Sequence, residues 1–176
     1  MLWLLSRSCG CFAAAGRPRW VTQHFPLVQE GLDMTALTLQ TATSISQQAL
    51  AAGRAISCAP LTIAVLDAGG HLISLLREDG ASMLRPQIAI GKAWGAVALG
   101  KTSRLIAEDA QQRPSFISAV NTLAHGNLIP APGGVLIRDE QNAVIGAIGI
   151  SGDSSDIDEQ CAIKGILAAG LQADAG

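Results

Sequence analysis

Apolar residues recur along this chain in two rhythms, and the change from one to the other marks the elements. From 38 to 57, Leu39, Ala42, Ile45, Ala49, Ala52 and Ile56 return every three or four positions, which is one face of a helix. Pro60 ends that pattern, and LTIAVLD at 61–67 follows as a nearly unbroken apolar run. Such a run, short and bounded by turn residues, predicts a central strand covered on both faces. Ala68-Gly69-Gly70 supplies a turn and HLISLLR at 71–77 a returning strand, so this stretch reads as a β-hairpin. GVLIRD and AVIGAIGIS predict a second hairpin, turned around 140–142.

Helical segments lie between and after the hairpins. Arg85-Pro86 opens one that runs through IAIGKAWGAVAL, with proline in the first turn where its missing N–H is not needed. Thr102 or Ser103 can cap RLIAEDA, and Pro114 starts another helix to about Leu123. HGNLIPAPGG at 125–134 reads as loop with a short edge strand near Leu128. Ser155-Asp156-Ile157-Asp158 reads as a capping box with Asp158 as its acid, launching an alanine-rich helix to about Leu171. Two antiparallel hairpins with helices packed on their faces make an α+β domain.

Composition narrows the function classes. The 176 residues are 49% hydrophobic and 15% charged, with mean hydropathy +0.34, and the excess is aliphatic because there are three Phe, three Trp and no Tyr. So little charge on a small domain predicts apolar area covered by another copy, a homo-oligomer. A net charge of −2 with no basic run among aromatics speaks against nucleic acid as a partner. No apolar run reaches the roughly 18–20 residues of a membrane helix, so no membrane partner is expected. The cysteines, Cys9, Cys11, Cys58 and Cys161, contain no CxxC pair and support neither a zinc site nor a disulfide framework. A reducing, cytoplasmic setting is the simpler expectation.

Residues 1–33 differ from the rest, with Arg7, Arg17 and Arg19 and no acid before Glu30. Three readings stay open: a mitochondrial-type transit peptide, a secretory signal, and an early start site with Met34 opening the real domain. The secretory reading fits less well, because no basic residue precedes the short apolar run at 2–5. In each case the folded domain is taken as 34–176.

Five strings occur in one order: VLDAGGHL at 65–72, REDGA at 77–81, GKAW at 91–94, PGG at 132–134 and GAIGISG at 146–152, followed by Asp158 and an alanine-rich helix. Together they resemble the GlcG/HbpS-like haem-binding family, which is related to the C-terminal domain of corrinoid adenosyltransferases. The resemblance covers about residues 37–172. It implies a profilin-like α/β/α sandwich, a five-stranded antiparallel sheet flanked by helices, assembled into homo-oligomers. For function it implies a protein that binds haem or another tetrapyrrole. Two alternatives stand beside it: an accessory enzyme acting on a small carboxylate or hydroxy acid, and an oligomeric scaffold without ligand.

Each candidate residue has a bland reading and a functional one. Asp67 ends a strand before a glycine turn, where it can accept turn amides or stand as a carboxylate at a pocket mouth. Arg77 closes the next strand, either in a solvated charged turn or holding a carboxylate such as a haem propionate. Lys92 lies among Gly91, Ala93 and Gly95, either snorkelling to the surface or binding an anion in a niche shared with Arg77. Gly133 and Gly134 form a tight turn or present amides to an anion, and Gly149, like Gly146, admits a helix or a ligand close to the sheet. Haem iron takes His, Met, Cys or Tyr. With tyrosine absent, His71 and His125 are the metal candidates, ahead of Met83, Cys58 and Cys161. No GxSxG, HExxH, P-loop or Rossmann pattern occurs, so no catalytic residue is assigned.

Overall fold

The computed structural model describes residues 36–176; the three readings of 1–33 lie outside the described residues. Its elements are α1 (Leu39–Ala55), β1 (Thr62–Asp67), β2 (Leu72–Arg77), α2 (Arg85–Leu99), α3 (Ser103–Gln112), α4 (Pro114–Leu123), β3 (Gly134–Arg138), β4 (Val144–Ser151), α5 (Ser155–Ala168) and β5 (Gln172–Asp174). The five strands form one antiparallel sheet in the order β2-β1-β4-β3-β5. The two hairpins are joined through β1 and β4, from Thr62 opposite Ser151 to Asp67 opposite Gly146. β1 and β4 are therefore interior strands, which explains why their sequences are apolar without alternation.

Alternation along β1 sends residues to two different cores. Ile63 and Val65, with Ile148 and Ile150 of β4, pack under α1 and α5 against Ile45, Ala49, Cys161 and Ile166. Ala64 and Leu66, with Leu136 and Ala147, pack under α2 against Ala89, Ala93 and Ala96. A third, smaller core of Ile106, Ile117 and Leu128 fills the α3–α4 hairpin beside α2. Thr38 caps α1 by accepting the Thr41 N–H at 3.1 Å, and Thr102 caps α3 by accepting that of Leu105 at 3.4 Å.

Helix α2 sits unusually low on the sheet. A Cβ at Gly149 would collide with the Ala89 carbonyl oxygen and approach the Ala93 nitrogen to 2.8 Å, and one at Gly134 would strike the Lys92 carbonyl. Glycine in these strands, which costs propensity, is what lets helix backbone rest on strand backbone.

Three expectations are corrected. The segment near Leu128 is loop, its N–H held by Asn121 Oδ1 at 3.2 Å. The last helix ends at Ala168, and 172–174 turn back as β5 along β3, tied by Arg138 to Asp174 at 2.8 Å. The N-cap of α5 is Ser154 rather than Ser155, and Asp158 forms no capping box, because its carboxylate is drawn inward to a buried cation. Among the described residues no helix is long and apolar enough to cross a membrane.

Candidate functional site

Lys92 lies on the sheet-facing side of α2, and its aliphatic stem carries the ammonium to the end of β4. There Nζ donates to the Ile150 carbonyl at 2.8 Å and to Asp158 Oδ2 at 2.9 Å. Asp158 Oδ1 accepts the Asp153 N–H at 3.0 Å. Both groups are buried. Gly133, in the positive-φ region at +114°, carries the chain over the pair, and a Cβ there would stand 3.0 Å from Nζ. Gly134 then donates its N–H to Ser103 Oγ at 2.6 Å. Burial lowers the Lys92 pKa and raises that of Asp158, against their mutual attraction and hydrogen bond. Alongside, Arg104 pairs with Glu159 and Asp156, both at 2.6 Å. Lys92, Gly133, Gly134 and Gly149 thus come together, but as a sealed clamp joining α2, β4 and α5. Lys92 does not snorkel outward.

Asp67 sits at the opposite end of β1. Its Oδ1 accepts the Gly69 N–H at 2.8 Å and the His71 N–H at 2.9 Å, with His71 Nδ1 3.3 Å away. Burial works against its charge, yet these two amides hold the carboxyl below its ordinary range. The bond pattern is an Asx-turn. His71, whose side chain is 83% exposed, stands on this turn, and Trp94 of α2 packs within 3.2 Å of where a Gly70 Cβ would be. His125 is elsewhere: it follows α4 at φ +52°, in a loop whose Leu128 and Ile129 meet α2 on its Gly91–Gly95 flank. The two histidines do not converge. Among the described residues no group of three or more His, Cys, Asp or Glu could hold a metal ion.

One accessible apolar flank lies where α2 passes β2. The helix lies across β1, β4 and β3 and barely touches β2. Register places Leu72 and Leu75 on the same face as Leu66 and Ala64, yet they remain 47% and 39% exposed. Ile90 and Trp94, four apart on α2, are half-buried beside the α2 core, and Met83 and Leu84 are exposed before the helix begins. Arg77 ends this row. Its guanidinium donates to the Ala81 carbonyl and, with Arg54, Pro60, Glu78 and Asp79, lines a cavity of about 400 Å³. Glu78 is fixed there by the Leu61 N–H at 2.7 Å and by Arg54 at 3.1 Å.

Arg77 and Lys92 do not share a niche. Lys92 bonds to β4, two strands from Arg77 on β2, or roughly 10 Å at ordinary strand spacing, and it does not line the cavity. Between them, Arg85 Nη1 donates to Ser151 Oγ at 3.0 Å. Sequence reasoning missed that bond, the Lys92–Asp158 pair and the Arg104 cluster. Each joins residues dozens of positions apart, with no periodicity to announce them.

A family model described as "Haem degrading protein HbpS-like" matches residues 37–167. No curated protein matches the chain. Among solved structures, a double mutant of HbpS from Streptomyces reticuli is 26% identical, with TM-score 0.66, covering 92% of this chain and 97% of that one. Another HbpS structure is 28% identical, with TM-score 0.65, over 77% and 92% of the two chains. The PduOC–haem complex shares the fold at 22% identity and TM-score 0.71, over 79% of this chain and 99% of that one.

Proposed function

The chain belongs to the HbpS-like family, and from that premise we propose that it binds haem, or a related tetrapyrrole, on the open flank of β2 and α2. The observation that carries the placement is an amphipathic surface. Leu72 and Leu75 form an exposed apolar floor, Ile90 and Trp94 a half-buried wall, with Arg77 at one end and His71 at the other. The six residues of β2 span roughly 20 Å at about 3.3 Å each, enough for a porphyrin face. Small-molecule sites pair mostly apolar walls with a few fixed polar groups. A guanidinium suits a propionate, and an exposed imidazole suits iron. When bound, haem would supply the redox-active iron; the chain's own residues supply the apolar seat, the anion partner and the imidazole.

The other candidates take supporting places in this reading. Asp67 holds the turn that carries His71. Gly149, Gly134 and Gly133 set the height of α2 and seal Lys92 beneath it, so that Ile90 and Trp94 stand beside β2. His125, at the start of the loop that meets α2 at Gly91 and Gly95, is left outside this site. A homo-oligomer in a cytoplasmic, reducing setting belongs to the same proposal, supported by the low charge, the exposed Phe116 and Leu123, and the free thiols of Cys58 and Cys161.

Titration with haemin tests the reading. The expected result is a saturable Soret shift that His71→Ala changes and Leu75→Asp weakens, while His125→Ala leaves it intact. An unsaturable shift, or the same spectrum in all three variants, overturns it. A rise in melting temperature with small organic acids, lost in Arg77→Ala and without any Soret change, would favour the accessory-enzyme reading at the cavity.

A further inference from the structure

Cys58 and Cys161 take no part in the haem reading, and the fold places them together. Cys58 lies in the bend between α1 and β1, and Cys161 is on the inward face of α5. α1 and α5 pack closely over the sheet, a Cβ at Gly165 falling 2.8 Å from that of Ala49 and one at Gly53, a turn further along α1, 3.0 Å from Cys58 Sγ, and Cys58 and Cys161 lie in one core cluster. Cys161 is 1% exposed and Cys58 9%, so Cys58 is the nearer to solvent. Arg54 Nη2 reaches Cys58 Sγ at 3.5 Å and the carbonyls of Cys58 and Ala59 at 3.0 and 3.1 Å. The same guanidinium lines the cavity described above. Cys58, the more exposed of the two, is the thiol that a solvent-borne disulfide meets first, with Cys161 behind it.

We propose that Cys58 and Cys161 form a reversible dithiol–disulfide couple that staples the end of α1 to α5. The oxidant class is a small disulfide such as oxidised glutathione. The Cys58 thiolate attacks one of its sulfurs, and glutathione thiolate leaves. The Cys161 thiolate then attacks the Cys58 sulfur of the mixed disulfide and expels the second half. Two protein thiols lose two protons and two electrons, and one glutathione disulfide becomes two glutathione molecules.

The surroundings set the pace. Burial raises the Cys58 thiol pKa; Arg54 from α1 pulls it down, while Asp153 before α5 and Glu78 after β2 push it up. Burial pushes Cys161 up to about 11, with Asp158 adding to the rise and Lys164 opposing it. Both are neutral thiols at pH 7, so the couple stays reduced against brief exposure. Its first step quickens about tenfold per pH unit below the Cys58 pKa.

The full chain, incubated with oxidised glutathione at neutral and mildly alkaline pH, acid-quenched and digested without reduction, tests this. The expected product is a Cys58–Cys161 cross-linked peptide pair, short of two hydrogen atoms and restored by dithiothreitol, forming faster at the higher pH. In Cys161→Ser the first step has no successor, and the glutathione adduct accumulates on Cys58. In Cys58→Ser, Cys161 stays unmodified. Peptide mapping separates these products from any at Cys9 and Cys11. A stable glutathione adduct on Cys58 of the unaltered chain, or modification of Cys161 in Cys58→Ser, overturns the proposal. Neither outcome bears on haem binding, which is read by its own spectrum.

Discussion

β1–β2 and β3–β4 are both apolar strand pairs closed by a short polar turn, yet one leaves its outer strand half open while the other disappears beneath helices. The difference lies in where glycine falls. Gly134 and Gly149 remove side chains from the α2 face of the second hairpin, and the backbone of α2 settles onto them. The first hairpin presents Leu66, Leu72 and Leu75 on that face, so the helix is held away from β2. Small residues decide where a helix lands, and the strand it misses becomes the available surface.

Four perturbations would break or sharpen that contrast. The largest effect is expected from Lys92→Met, which strands the buried Asp158 carboxylate. A loss of about 3–5 kcal/mol is expected in denaturant unfolding, with much of it recovered in Lys92→Met/Asp158→Leu. Next is Gly149→Ala, where even one methyl group meets helix backbone. Overpacking of this kind costs about 1–3 kcal/mol, and the melting temperature should fall accordingly.

On the open hairpin the balance reverses. Leu75→Asp should change stability by less than about 1 kcal/mol, as expected of a partly exposed site, while lowering haem affinity about tenfold or more in a Soret titration. Equal losses of stability on the two hairpins would erase the distinction. The smallest effect concerns acid. Asp67 titrates below its unfolded value, so it adds stability above about pH 4 that is lost as pH falls through the lower folded pKa. Asp158 has the opposite sign: its folded pKa is raised, so its contribution is complete below about pH 4 and lost as pH rises. Asp67→Asn should therefore flatten the acid limb of a stability-versus-pH curve slightly and lower the neutral plateau by the same small amount.

Much of the architecture was legible because periodicity and turn chemistry agree locally. The unbroken run of β1 announced an interior strand, Pro86 and Pro114 marked helix starts, and Gly69-Gly70 marked the first turn. β5 carried no such signal: Gln172, Ala173 and Asp174 do not alternate, local reading put an extra edge strand near Leu128 instead, and the family resemblance implied five strands without placing the fifth. The candidate site was less readable. Lys92, Gly133, Gly134 and Gly149 were chosen for correct local reasons, since small residues around a lysine do mean close packing. What covers that lysine depends on Asp158, which local reasoning had assigned to a cap. Arg77 gained its meaning only when α2 was seen to miss β2. The meeting of Cys58 and Cys161 depends wholly on how α1 lies against α5.

The Lys92–Asp158 clamp also orders events in time. Its two halves are separated by 66 positions, and the ammonium emerges from the ribosome well before its counter-charge. Until α5 clears the exit tunnel, settling α2 onto the sheet would strand a bare cation in an apolar layer. Nascent chains arrested before residue 158 should therefore remain sensitive to protease, and closure of the domain should coincide with the arrival of its last helix.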